Sequence, residues 1–263
     1  MGSLISQTLQ DYLEPTNQLD LHLLTHSHYD HLGCTPLLKQ RYPQLSIGAH
    51  PILADIIQRP NAIQLIRTLN DTFLNNVTPE LKKNIILFET FPVDLFLKDQ
   101  EILDLGGISI QVIYTPGHTR DSISFYIPEA KALIPGEATG IPDRTGNIMP
   151  EFLQSYTTYL KSLEKLTNLD IDYLCLPHNY ALQGEEAKTY ISQSIAATIA
   201  FKNTILETLH ITHGSIDQAL KHLMNQLYTA DIGQPKDSFT LNLQAMIKTV
   251  VKEFGNDASF KPS

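Results

Sequence analysis

The sequence contains few cysteines, little positive charge and no long apolar run. Cys34 and Cys175 each lie alone without a CxxC partner, which argues against a disulfide framework or a thiolate zinc site and favours a reducing, cytosolic compartment. We also predict no membrane span and no export signal, because no run of about 18 uncharged apolar residues occurs and the first residues lack a basic, apolar leader. The net charge of −9 disfavours a nucleic-acid partner.

The 263 residues are 42% hydrophobic, enough for a full buried core. The first two thirds alternate β-like runs with helical stretches and the last third has a helical pattern, which predicts an α/β (α+β) protein with a domain over residues 1–184 and an α-helical region over 185–263. Strands are predicted at Leu19–Thr25, Leu45–Ala49, Ile108–Tyr114, Ser122–Ile127, Lys131–Ile134 and Tyr173–Leu176. Helices are predicted from Thr35-Pro36 and from Pro51, over 61–84, along the apolar stripe of 152–166, and over 185–255 with breaks near 213–214 and 233–235.

A histidine-rich run follows directly after the first predicted strand. It reads His26-Ser27-His28-Tyr29-Asp30-His31, three imidazoles and a carboxylate within six residues. In an extended or turning backbone, side chains two apart point the same way, so His26 and His28 could share one ion while Asp30 and His31 reach a second. The alternative is a histidine-rich surface turn. Nitrogen and oxygen ligands without thiolates suit zinc, iron or manganese.

Three more candidate ligands come just after predicted strands. His118 follows the strand ending at Tyr114, Glu137 follows Lys131–Ile134, and His178 follows Tyr173–Leu176. Taken singly, each is more often a hydrogen-bonded or solvated loop residue. If these strand ends share one edge of a sheet, however, seven metal-binding side chains converge there. The other histidines have structural interpretations: His22 in a strand, His50 as a helix cap, and His210, His213 and His222 in the helical tail.

These motifs resemble a known family. HSHYDH at 26–31, TPGHT at 115–119, PGE at 135–137 and PH at 177–178 are similar to the ordered metal motifs of the metallo-β-lactamase-fold hydrolase superfamily, over about residues 1 to 180. The resemblance implies a four-layer αββα sandwich with two divalent metal ions at one edge. It implies that His26, His28 and His118 hold one ion, that Asp30, His31 and His178 hold the other, and that Glu137 bridges them.

The sequence departs from the family pattern in two places. The superfamily usually has Asp where this chain has Glu137, and it usually has several strands before the histidine run, whereas only 25 residues precede His26 here. We therefore expect that some N-terminal strands of the fold are missing from this sequence.

Two cations held close together favour hydrolysis. A metal-bound hydroxide is the expected nucleophile, oriented by Asp30 as the catalytic residue, because no GxSxG serine motif is present. We predict a cytoplasmic binuclear hydrolase, most similar to thioesterases or lactonases, acting on a small-molecule ester, thioester or lactone with zinc as the favoured metal. The alternatives are a phosphodiesterase and a metal-binding regulatory or binding protein with little turnover. The sequence does not specify an oligomeric state.

Overall fold

A computed structural model describes residues 18–75, 87–178, 180–229 and 231–255. The chain divides into two compact units, residues 1–99 and 100–263. Within the described parts of the chain, no helix is both long and apolar enough to cross a membrane.

The first unit contains a parallel three-stranded sheet. The strands are β1 (Leu21–Leu23), β2 (Ser46–Ala49) and β3 (Leu95–Phe96), in the order β1-β2-β3. Parallel neighbours need a crossover between them, and the short helices α1 (Tyr29–Leu32) and α2 (Thr35–Arg41) lie in the connection from β1 to β2. The helices α3 (Pro51–Ile56) and α4 (Pro60–Asn75) follow β2.

Apolar side chains of this unit form one hydrophobic cluster. Its fully buried members include Leu32 on α1, Ile47 on β2 and Leu53 on α3. Burying a side chain of this size contributes roughly 1.5–3 kcal/mol each. The cluster therefore holds α1, which carries part of the histidine-rich run, against the three-stranded sheet.

The predicted elements of this unit are confirmed with small shifts. The first helix of the prediction starts at Thr35 itself, with Cys34 in the N-cap position and Pro36 in the first turn. His50 caps α3 as predicted, since its Nδ1 accepts a hydrogen bond from the backbone N–H of Ile52 at 3.2 Å. The predicted helix over 61–84 is α4 up to Asn75, and its remainder, 76–84, lies outside the described residues.

The second unit is built on a six-stranded mixed sheet. The strands are β4 (Ile102–Asp104), β5 (Ser109–Tyr114), β6 (Ile123–Ile127), β7 (Ala132–Ile134), β10 (Tyr173–Leu176) and β11 (Tyr180–Gln183). Their order is β11-β10-β7-β6-β5-β4, and only the β10–β7 pair is parallel. A separate hairpin pairs β8 (Ile141–Pro142) with β9 (Ile148–Met149).

Helices cover part of this sheet. They are α5 (Tyr156–Leu166), α6 (Glu185–Ile211), α7 (Ile216–Leu227) and α8 (Lys236–Phe254), with breaks where the glycine-containing segments predicted them. Ser155 caps α5 through a 3.1 Å hydrogen bond from the Thr158 N–H. The buried face of α5 carries most of the predicted apolar stripe, including Tyr159 and Leu163.

The α/β class with a helical C-terminal part is thus confirmed. One hydrophobic cluster contains Leu133 and Leu174 of the sheet together with Leu223 and Leu243 of the C-terminal helices. The proposed division into a domain over 1–184 and a region over 185–263 stays a prediction. Both cysteines are free thiols.

Candidate metal centre

In the first unit, the histidine-rich run passes from a loop into a helix. His28 has extended backbone angles and occupies the N-cap position of α1, and the backbone N–H groups of His31 and Leu32 both bond its carbonyl oxygen, at 3.1 and 3.2 Å. The expected extended or turning backbone therefore holds only up to His28. Asp30 and His31 lie on the first helical turn instead.

This geometry brings the four ligand candidates close together, and the His26 ring lies closer to His31 than to His28. The rings of His26 and His28 have centroids 4.8 Å apart, and those of His26 and His31 have centroids 4.1 Å apart. Asp30 Oδ2 lies 3.7 Å from His31 Nε2. His26 is buried, and its Nδ1 contacts the Thr25 hydroxyl at 3.1 Å, which orients the ring. Short spacing in sequence is enough to bring these side chains together.

In the second unit, Glu137 lies between two imidazoles. Its Oε2 is 2.6 Å from His118 Nε2, and its Oε1 is 2.9 Å from His178 Nε2. His118 and Glu137 are buried, whereas the His178 side chain is 42% exposed. His178 also has a φ of 60°, an uncommon backbone conformation for a residue with a side chain. The three candidates predicted after separate strands are thus brought together.

The protonation of His118 follows from its contacts. Its Nδ1 lies 2.8 Å from the backbone carbonyl oxygen of Glu151, which can only accept, so Nδ1 carries a proton. Nε2 then faces the Glu137 carboxylate. Burial acts to lower the pKa of His118, but attraction by Glu137 outweighs it and raises that pKa to about 9.

This arrangement fits a divalent cation. Nε2 of His118 points at a carboxylate oxygen, and the pair needs a positive charge there, supplied by a proton or by a metal ion. Imidazole nitrogens and carboxylate oxygens are also the donors that zinc, iron and manganese accept. The backbone contact at Nδ1 is the usual support of a metal-binding histidine.

Hydrogen bonds hold the two ligand loops of this unit in place. The Thr115 hydroxyl contacts the Ser124 hydroxyl at 2.8 Å, and Ser124 donates to the carbonyl oxygen of Pro135 at 3.2 Å. This chain links the loop of His118 to the loop of Glu137. Ser124 on β6 therefore joins the segments that follow β5 and β7, which carry these two ligands.

Helix α5 supports the same loops from the other side. The Ser162 hydroxyl donates to the carbonyl oxygen of Pro116 at 2.7 Å. The Tyr159 hydroxyl donates to the backbone carbonyl oxygen of Glu137 at 3.3 Å. Gly117 has a φ of +132°, and a Cβ there would collide with the backbone of Tyr159. Glycine is therefore required for this close approach of loop and helix.

Glu151 is the residue of this site that sequence reasoning missed. It is 1% exposed, and burial, together with the nearby Glu137 carboxylate, raises its pKa to about 8 against the opposing effect of His118. It is a single acid after Pro150, outside every motif, so the sequence carried no signal for it. The structure alone places it behind His118.

Comparisons with known proteins agree with the metal motifs. The family model described as Metallo-beta-lactamase superfamily matches residues 16–178. A hydroxyacylglutathione hydrolase from Francisella tularensis subsp. novicida (strain U112) is 29% identical over 166 residues, 63% of this chain and 51% of that protein. A hydroxyacylglutathione hydrolase from Rhodopseudomonas palustris (strain BisB5) is 25% identical over 226 residues, 82% of this chain and 74% of that protein.

Among solved structures, a metallo-beta-lactamase family protein from Thermus thermophilus is similar with a TM-score of 0.66 and 18% identity, covering 96% of this chain and 81% of that one. The likeness at this level concerns the fold alone. The chain spans about half the length of the first curated relatives that it matches.

Proposed function

Because this chain belongs to the metallo-beta-lactamase superfamily, we propose that it is a hydrolase with two divalent metal ions that cleaves a small ester, thioester or lactone. The contact of Glu137 with both His118 and His178 is the observation that carries this proposal. A buried carboxylate between two imidazoles offers oxygen and nitrogen donors that suit a pair of cations.

The seven candidate ligands would be divided between the two ions. His26, His28 and His118 would hold one ion, and Glu137 would contribute to both. Asp30, His31 and His178 would hold the other. Zinc is the proposed metal, and iron or manganese would suit the same nitrogen and oxygen donors. When bound, such a pair of ions lowers the pKa of water and polarises an acyl carbonyl.

The side chains of this chain would then divide the remaining tasks. Asp30 would accept a proton from the attacking water and orient it. Glu137 would balance positive charge at the buried centre, and the carbonyl of Glu151 keeps the His118 Nδ1 protonated so that Nε2 offers its lone pair. Together these groups favour attack on an electrophilic acyl carbon.

A thioester is the favoured substrate. The two curated relatives described above are named hydroxyacylglutathione hydrolase, and such an enzyme hydrolyses a thioester of glutathione. The net charge of −9 argues against a large nucleic-acid substrate for the alternative phosphodiesterase activity.

Metal content and a substrate panel test this proposal together. Elemental analysis of protein purified without chelator should give about two transition-metal equivalents per chain, since the seven proposed ligands exceed what one four-coordinate zinc ion can use. A small acyl thioester, a lactone, an aryl ester and a phosphodiester form the panel, each assayed before and after chelator treatment.

We expect metal-dependent cleavage of an acyl substrate. Turnover of the phosphodiester alone would contradict the acyl substrate and favour the phosphodiesterase alternative. Two bound metals without any turnover would favour a binding or regulatory protein. Less than about half an equivalent of metal, with no uptake on reconstitution, would reject the metal centre itself.

A further inference from the structure

The carboxylate of Glu151 is fully enclosed and held by two amides. Gln234 Nε2 donates to Oε1 at 3.4 Å, and Asn242 Nδ2 donates to Oε2 at 3.1 Å. Asn242 lies on α8, and Gln234 lies in the connection just before that helix. A buried carboxyl group whose oxygens lose their hydrogen-bond donors is costly, so the structure around it would shift to restore them. The position of Glu151 therefore depends on α8.

The main chain of the same residue contacts a proposed metal ligand. Its carbonyl oxygen accepts from His118 Nδ1 at 2.8 Å and also from the backbone N–H of Leu153 at 3.0 Å. A backbone carbonyl cannot be removed by substitution, but its placement can be changed. The side chain of Glu151 ties that carbonyl to the C-terminal helices, 83 and 91 residues further along the chain.

We infer that Glu151 is a positioning residue: α8 and the segment before it hold its side chain, and its backbone carbonyl orients the His118 imidazole. The C-terminal helices are thereby part of the support of the metal centre. This inference rests on the proposed function in so far as His118 binds a metal ion. A metal-binding histidine depends on the acceptor at its other nitrogen for ring orientation. Loss of either amide should therefore weaken metal binding although no ligand is removed.

A second carboxylate contact of α8 provides a matched control. Glu253, near the other end of the helix, accepts from the backbone N–H groups of Tyr156 at 3.1 Å and of Thr157 at 2.9 Å. It anchors α8 to the start of α5 and has no contact with His118 among those described. Its loss should loosen the helix without moving the acceptor for the imidazole.

The test compares Asn242→Leu and Glu151→Gln with Glu253→Gln in the full-length chain. Asn242→Leu removes one donor and leaves every charge in place, so it separates positioning from electrostatics. Zinc affinity is measured by competition with a chromophoric chelator, and thermal unfolding is followed for each variant. We expect the Kd for zinc to rise about 10-fold in Asn242→Leu and by at least as much in Glu151→Gln. In Glu253→Gln it should stay within about 2-fold of wild type while the unfolding temperature falls, since the metal ligands keep their support.

A second measurement needs no metal. In metal-free protein labelled with ¹⁵N-histidine, the Nδ1 proton of His118 is assigned by its absence in His118→Gln, and its exchange with water is timed. It should exchange faster in Asn242→Leu than in wild type or in Glu253→Gln, because the carbonyl acceptor has moved.

The outcomes separate this inference from the proposed function. Unchanged exchange and unchanged zinc affinity in Asn242→Leu overturn the positioning role even if the wild-type enzyme is active. Equal losses of zinc affinity in Asn242→Leu and Glu253→Gln also overturn it, since they indicate general loosening of α8. Faster exchange in Asn242→Leu alone supports the role, and absence of zinc binding by the wild type would then reject only the proposed function.

Discussion

The two units of this protein position their candidate ligands by different means. The first unit supplies four within six consecutive residues, arranged by the end of a loop and the first turn of α1. The second unit supplies His118, Glu137 and His178 after three different strands, and hydrogen bonds from other parts of the chain align two of them.

Local backbone geometry thus arranges one set of candidate ligands, and tertiary contacts arrange the other. The arrangement of the first set depends mainly on backbone geometry over a few residues, with α1 held in place by Leu32 in the hydrophobic cluster. The second set depends on Ser124, Tyr159, Ser162 and Glu151, none of which is a proposed ligand. Substitutions away from the ligands should therefore disturb the second set more than the first.

Removing one imidazole from each set gives the largest expected effect. His28→Ala and His118→Ala should each lower turnover by more than about 100-fold, because changes next to ligands already cost about 10–100-fold in such sites. His118→Ala should also lower thermal stability, since it leaves the buried Glu137 carboxylate without its closest partner, whereas His28→Ala should not. Activity assays, elemental analysis and thermal unfolding measure both properties.

An exposed histidine serves as the control for this pair. His222 lies on α7 away from the proposed ligands in sequence, and His222→Ala should match wild type in turnover and metal content. Equal stability losses in His28→Ala and His118→Ala would remove the distinction between the two sets.

Substitution of Glu137 should have the next largest effect. Glu137→Ala should weaken or lose at least one of the two metal equivalents, because it removes the carboxylate shared by His118 and His178. Glu137→Asp keeps charge and donor atoms and should retain partial binding. Zinc and manganese titrations count the equivalents, with Glu164→Ala, a change of an exposed acid on α5, as control. Wild-type stoichiometry and affinity in Glu137→Ala would exclude Glu137 from the centre.

The smallest expected effect is a pH dependence of stability in the metal-free protein. The raised pKa of His118, about 9 against an ordinary 6.5, means that the folded state binds its proton more tightly than the unfolded state. That stabilisation is present below pH 6.5 and is lost as pH rises through about 9. The raised pKa of Glu151, about 8, acts in the same direction. Thermal unfolding of metal-free protein should therefore move to lower temperature from pH 6.5 to 9.

Glu137→Gln sharpens this measurement. Without the carboxylate, burial remains the main influence on the pKa of His118 and lowers it, so the decline in stability over this interval should flatten. An unfolding temperature that stays constant or rises with pH in the wild type would contradict the assigned protonation of the second ligand set.

Sequence reasoning succeeded where the determining contacts are local. The strand Tyr173–Leu176, the cap at His50 and the helix breaks near 213–214 and 233–235 follow from propensity, capping and glycine placement over a few residues. The short strands β3, β4, β8, β9 and β11 were missed. Strands of two to four residues show too little alternation to be recognised and exist only because a neighbouring strand pairs with them.

The same division applies to the metal centre. The sequence by itself determined the identity of the candidate ligands, because imidazole and carboxylate groups at strand ends carry recognisable chemistry. Only the tertiary structure decided that Glu137 contacts both His118 and His178, and that Glu151 supports His118 from 33 positions away. The physical reason is that a hydrogen bond depends on distances of about 3 Å between atoms, and chain folding rather than sequence spacing sets those distances.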